Sequence, residues 1–440
     1  MRRRARRVPE GEHRAEVIDL SEDGRGIARI DGKVVFIADA LPAETVTFKY
    51  LAAGKSFDEG QTLRVETPSP DRVTPGCTHF GVCGGCALQH LSPEAQVRFK
   101  QKQLIEALAR IGKVTPTDIA APVTGPVWGY RRRARMGAKW VINKQKVLVG
   151  FRERRTHLLA ELQRCPVLDA RVGEQLEVLA DALARTGIAD KIPQIEMAAA
   201  EHVCLSIRVL EKPTEDDLAV LRQLAEDTGF ELRLQPGGLS TITPLNPPTR
   251  VLDYSPDGSE RRLQFEIADF IQVNAFISQR VVNQAIDWLA PQPGERMLEL
   301  FCGLGNFSLP LAARGVDLTA VEGDAGLVQR ARDNARRNNL SIRFEKADLF
   351  KAGAEADWLA GHFDAVLLDP PRSGAEVMMP LIAAKKPSRV VYVSCQPGTL
   401  ARDAGALVHQ HGYRLARAGV MDMFPHTAHI ESMALFVREA

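Results

Sequence analysis

Leu298–Ala312 reads LELFCGLGNFSLPLA. Met297-Leu298-Glu299-Leu300-Phe301 predicts a buried strand. It runs into Cys302-Gly303-Leu304-Gly305-Asn306-Phe307-Ser308 and then into a helix through Ala313. A glycine-rich turn between strand and helix lets a ligand approach the backbone closely. A lone Gly-x-Gly is weak evidence, but the chain continues in kind. Strand Val316–Val321 ends in Glu322, about 20 residues on, where an acidic residue can accept hydrogen bonds from ribose hydroxyls. Ile342–Lys346 predicts a strand followed by Ala347-Asp348, and Phe363–Leu368 one ending in Asp369-Pro370-Pro371-Arg372. The fold class is therefore α/β, with a Rossmann-like parallel sheet. A dinucleotide dehydrogenase would carry a third glycine where Ser308 stands.

Val391–Leu400, VYVSCQPGTL, extends the series. Val390–Val393 predicts another buried parallel strand, and Gln396-Pro397-Gly398 breaks it. Ser394 and Cys395 fall at its carboxyl end, where open α/β sheets bind ligands. A thiol there is a candidate nucleophile, and a half-buried small hydrophobe is the plain alternative.

At 440 residues the chain predicts about three domains. Its 45% hydrophobic and 25% charged residues are those of an ordinary soluble protein. No apolar run approaches the ~18 residues of a membrane span. The start, MRRRARRVPEGEHRAE, has no apolar segment behind its arginines, so no secretory signal is expected. Seven unevenly spaced cysteines suggest a reducing cytoplasm rather than a disulfide framework. Net charge is only +2, so positive charge matters by clustering: an N-terminal arm (Arg2, Arg3, Arg4, Arg6, Arg7) and a knot (Arg131, Arg132, Arg133, Arg135). Such clusters neutralise phosphates, or form solvated faces.

Arg14–Leu20, Gly26–Ile30, Lys33–Ile37, Thr45–Tyr50 and Gln61–Glu66 predict five short strands, fitting an OB-like barrel over residues 10–67. The stretch AEVIDLSEDGRGIARIDGKVVFIADALPAETV resembles the TRAM domain of RNA-modifying enzymes, which implies RNA binding. After the proline-rich linker Thr67–Pro75, a central α+β domain (68–270) opens with Cys77, Cys83 and Cys86 among glycines; Cys165 follows later in RCPVLD. Together they could make a four-thiolate site, for which spacing alone favours zinc. Unrelated buried thiols are the alternative. Ser92-Pro93 opens a helix that ends at Gly112 and is expected to pack on the catalytic domain. Trp128–Phe151 predicts a hairpin with Arg131, Arg132 and Arg133 at its start; with Tyr130, Trp140 and Phe151 it suits an RNA surface. The catalytic domain is placed at 271–440.

LELFCGLGNFSLPLA, LLDPPRSGA, YVSCQPGTLARD and FPHTAHIESMALF together resemble the RNA uracil-5-methyltransferase family, and the similarity spans nearly the whole chain. With the TRAM-like stretch and the four cysteines, it resembles the type that acts on 23S ribosomal RNA. The resemblance implies S-adenosylmethionine (SAM) as cofactor, held by Gln272, Phe301, Asn306, Glu322, Asp348 and Asp369. It implies Cys395 as nucleophile and Glu431 as general base. For CTHFGVCGGCALQH with RCPV it implies a [4Fe-4S] cluster on Cys77, Cys83, Cys86 and Cys165, zinc being the alternative occupant. Gln396 departs from the family's usual Asn after the nucleophile. His426 and His429 flank the base without an assigned role. Alternative activities are a transfer-RNA uracil-5- or an RNA cytosine-5-methyltransferase, though the latter usually shows Thr-Cys and Pro-Cys motifs absent from this chain. No membrane and no obligate protein partner are expected.

Overall fold

The computed structural model describes residues 7–247 and 249–438. Most of the N-terminal arginine arm lies outside them. Contacts divide the chain into two compact units. One holds the chain up to Lys100 with Phe151–Ala160 and Phe424–His429; the other holds Gln101–Gly150, Glu161–Met423 and the chain from Ile430.

The first unit is built on a six-stranded sheet. Its order is His13–Glu16, Thr45–Ala53, Phe57–Thr67, Lys33–Ala38, Gly26–Ile30 and Asp19–Leu20. Alternation turns Ala28, Val35, Ile37, Val46 and Phe48 into one core. The expected strand Arg14–Leu20 is two strands. Its middle changes partners: Val17 donates to Glu44 O (2.9 Å) and Ile18 to Ile27 O (2.8 Å).

The helix predicted after Ser92 runs Pro93–Ala107, with Ser92 Oγ accepting from Ala95 N–H at 3.4 Å. A single wide turn, Leu108–Gly112, follows it. That end packs against helix Pro397–His411. Gly112 O lies 3.1 Å from His409 Nε2, and a Cβ on Gly405 would stand 2.8 Å from the same carbonyl.

In the second unit, a six-stranded sheet contains the predicted hairpin, Arg133–Val141 and Lys146–Gly150, beside Gln194–Ala199, Val203–Arg208, Glu231–Gln235 and Thr243–Pro244. Cys204 is fully buried in its core. The catalytic sheet has strands β1 (Arg296–Leu300), β2 (Asp317–Glu322), β3 (Arg343–Lys346), β4 (Ala365–Leu368), β5 (Arg389–Ser394), β6 (Tyr413–Met421) and β7 (Glu431–Arg438). They are ordered β3-β2-β1-β4-β5-β7-β6, with Asp118–Ile119 added at the β6 edge. The first five are parallel, and β7 runs antiparallel between β5 and β6. Strand order reverses between β1 and β4, so the ligand crevice of such a sheet opens at their carboxyl ends.

Candidate active site

At the end of β1 the backbone leaves the strand through left-handed conformations at Phe301 (φ 63°), Gly303 (54°) and Gly305 (95°). For Phe301 this costs on the order of 1 kcal/mol, strain that collects at ligand sites. Where Gly303 would carry a Cβ there is open space within 4 Å, so a ligand can come against the turn. Glu322, ending β2, accepts from Gly303 N–H at 3.1 Å and from Gly323 N–H at 2.7 Å. Asp348, after β3, accepts from Phe350 N–H at 3.1 Å. Its bond to Lys351 and that amide hold its pKa below the ordinary carboxylate value. Asn306 Oδ1 accepts from the Tyr254 hydroxyl at 3.1 Å, and the Gln272 carbonyl accepts from Arg132 Nε at 2.8 Å. Carboxylates at two neighbouring strand ends and an open glycine turn suit a ligand that carries hydroxyl groups, as SAM does.

Sequence reasoning missed Glu299. It is fully buried in β1, accepts from Ser308 Oγ at 2.5 Å, and its Oε1 has no hydrogen-bond partner. Burial pushes its pKa up to about 8, with Asp369 and Glu322 adding to the rise and the Ser308 bond opposing it. The signal was available: a single carboxylate within an apolar strand. Asp369, after β4, is likewise raised to about 8 by burial and then by Glu431.

Cys395 follows β5. Ser394 Oγ shapes the exit, donating to Gln396 O and accepting from Gln396 N–H, both at 3.1 Å. Pro397 then occupies the first turn of helix Pro397–His411, so the expected strand break is also a helix start. The last β5–β7 pair is Ser394 with Ser432. Continuing that register by one residue sets Cys395 beside Glu431, which is buried at the first position of β7. The thiol is pushed up to about 11, first by burial, then by Glu431 and Asp369, while Arg372 works against them. The Cys395 thiol, the Glu431 carboxylate and Asp369 are thus brought together at one sheet end. Gln396 is exposed. His426, in the first unit, is structural: its N–H donates to Gln96 Oε1 at 2.7 Å and its carbonyl accepts from Ala87 and Leu88. His429 meets Phe424 edge-on at 4.6 Å.

Residues 129–439 match the tRNA (uracil-5-)-methyltransferase family. The chain belongs to that family. A protein of Alkalilimnicola ehrlichii named 23S rRNA (uracil(1939)-C(5))-methyltransferase RlmD is 51% identical over 100% of both chains. One of the same name from Methylococcus capsulatus is 45% identical over 96% of each. Among solved structures, Pyrococcus abyssi tRNA (uracil-54, C5)-methyltransferase in complex with S-adenosyl-L-homocysteine shares the fold, with a TM-score of 0.73. It is 22% identical, over 97% of this chain and 100% of that one.

The four cysteines and the arginine run, both expected to be functional, have the following surroundings. Cys77, Cys83 and Cys86 lie in the first unit and Cys165 in the second, all half-buried and none in a disulfide. Cys83 Sγ accepts from Gly85 N–H at 3.4 Å; burial raises this thiol, and nearby Cys77 adds to the rise. Among the described residues no three His, Cys, Asp or Glu side chains converge as a metal-holding group. Gathering of thiolates and binding of the cation are coupled, because like charges do not assemble without it. Of the arginine run, Arg132 is buried and Arg133 is bonded to Glu196 (2.5 Å) and Met197 O (3.2 Å). Arg131 bonds Arg133 O at 3.1 Å. Arg135 is paired with Glu196 at 2.9 Å, and its side chain is 68% exposed.

Proposed function

We propose that this chain transfers a methyl group from SAM to C5 of a uridine in 23S ribosomal RNA, with Cys395 as nucleophile and Glu431 as general base. The observation that supports it is the β5–β7 register, whose last pair, Ser394 with Ser432, ends one residue short of that thiol and that carboxylate. The Cys395 thiolate adds to C6, forming an S–C6 bond and making C5 an enolate carbon. The cofactor supplies an electrophilic methyl group on a sulfonium. Once C5 carries the methyl, Glu431 removes the C5 proton and the S–C6 bond breaks, restoring the thiolate. Asp369 lies close enough to affect the thiol and would orient the ring or cofactor. A uridine stacked in a duplex cannot reach this thiol, so the substrate is an extruded or loop nucleotide.

The ribosomal substrate is favoured by relatives 45–51% identical along their full length, against 22% for the transfer-RNA enzyme. Their names carry position 1939, which we adopt for this chain. Within this proposal the six-stranded N-terminal sheet is a TRAM-type RNA-binding barrel, and Cys77, Cys83, Cys86 and Cys165 hold a [4Fe-4S] cluster. Motif and family support the cluster, and no step of the transfer uses it. No helix among the described residues is long and apolar enough to cross a membrane; the proposed action on ribosomal RNA is in the cytoplasm.

The test incubates the protein with methyl-labelled SAM and unmodified 23S rRNA or tRNA transcripts, then digests the RNA to nucleosides. Label in 5-methyluridine of 23S rRNA alone is expected. Label in 5-methylcytidine, or only in tRNA, overturns the assignment.

A further inference from the structure

Arg132 is 7% exposed and Tyr254 8%, so neither side chain is a surface contact. Both are tied to residues that the family resemblance implies hold SAM. The Arg132 backbone N–H donates to Val273 O, and its carbonyl accepts from Ala199 N–H, each at 2.8 Å. Its Nε donates to Gln272 O at 2.8 Å. Its guanidinium carbon stands 4.1 Å from the centre of the Tyr254 ring. The far end of that ring is the hydroxyl that donates to Asn306 Oδ1 at 3.1 Å. One guanidinium therefore grips both the backbone at Gln272 and, through a tyrosine, the amide of Asn306. Phe265 closes another side of the ring, tilted 62° at 5.9 Å. Burial raises the Tyr254 pKa, so the phenol is a donor throughout the working pH range.

We propose that Arg132 and Tyr254 are a positioning pair for the cofactor: Arg132 locks the Gln272 backbone and the Tyr254 ring, and the Tyr254 hydroxyl holds Asn306 with its NH2 turned toward the cofactor, where it donates to an acceptor atom. The pair rests on the reading of Gln272 and Asn306 as cofactor residues. It assigns Arg132 a place behind the SAM site rather than on RNA. The polarity follows from donor and acceptor inventory. An amide whose oxygen is engaged by a hydroxyl has only its two N–H donors left to offer. Lys cannot replace this arginine, because a point ammonium does not stack on a ring and reach a carbonyl with a rigid fork.

The experiment measures binding of S-adenosylhomocysteine by calorimetry to the full chain, with a melting curve for each variant. Tyr254→Phe is expected to weaken binding about 3- to 10-fold, the effect of one hydrogen bond, while still melting cooperatively. The KM for SAM rises by a similar factor, and kcat at saturating SAM holds within about twofold. Arg132→Lys weakens binding in the same direction without changing affinity for RNA. Asn306→Asp weakens binding more than Asn306→Ala, because it places a carboxylate oxygen where a donor is needed. Wild-type affinity in Tyr254→Phe, with Asn306→Ala weakened, overturns the positioning pair and leaves the cofactor site standing. Asn306→Asp binding more tightly than Asn306→Ala overturns the polarity. Wild-type affinity in Asn306→Ala removes Asn306 from the cofactor site, and the pair falls with it.

Discussion

Cys395 sits between burial and two carboxylates, and each opposes its ionisation. A thiol that resists ionisation in the resting protein is protected from adventitious chemistry. Cys395→Ala should abolish methyl transfer yet bind S-adenosylhomocysteine; methylation at the wild-type rate would end its role as nucleophile. Glu431→Gln should stall after methyl transfer and accumulate a protein–RNA adduct that survives denaturing electrophoresis. Full turnover with no adduct removes Glu431 from the mechanism. Glu299 adds a pH dependence of stability. Its folded pKa of about 8 lies above the unfolded carboxylate value of ~4.3. The folded state therefore holds a proton that the unfolded state has released between those values. Stability from this group is present below about 4 and is lost as pH rises through about 8. Glu299→Gln should raise the melting temperature of the cofactor-free protein by several degrees at pH 9 and much less at pH 5. Equal shifts at both values would show that Glu299 does not titrate in that window. Cys395, Glu431 and the glycine turn could be named from the sequence because each sits in a motif. Glu299 left a signal too, a lone carboxylate in an apolar strand, but the consequence of that carboxylate depends on what surrounds it.

The elements that frame the site were mostly legible as hydrophobic runs ended by glycine, proline or acid. β1 through β5 fall within a residue or two of the expected strands. Less legible was the way a helix end seats on a helix. The turn Leu108–Gly112 comes so close to helix Pro397–His411 that a side chain on Gly112 would collide with the Ala401 carbonyl. Glycine at 112 reads in sequence as a helix stop; in the fold it is also the point of closest approach. Because that helix begins two residues after Cys395, the contact buttresses the segment that carries this thiol. Gly112→Ala should destabilise the protein by about 1–3 kcal/mol, the cost of overpacking, and lower activity with it. Urea melts at fixed pH check this, and an unchanged midpoint would show that the contact gives way freely. The split of Arg14–Leu20 into two strands has a similar origin: a run of good strand formers does not say which neighbour each half pairs with.

Across the whole molecule, the chain was expected to make three domains, and its contacts group it into two units, with segments far apart in sequence sharing a unit. The cysteines invite a prediction at this scale. An anaerobic preparation should be brown, with broad visible absorbance lost in Cys86→Ser. A colourless protein with stoichiometric zinc rejects iron–sulfur ligation. The amino-acid sequence alone determined the α/β class, the glycine-rich turn, the acidic strand ends and the thiol at the end of β5, because these follow from local periodicity and residue chemistry. Only the tertiary structure decided that β7 inserts antiparallel beside β5, which brings Glu431 near enough to act on the Cys395 thiol. It also turned Arg132 inward onto Tyr254. Both outcomes depend on which distant surfaces bury each other, a choice made by packing and desolvation over the entire chain.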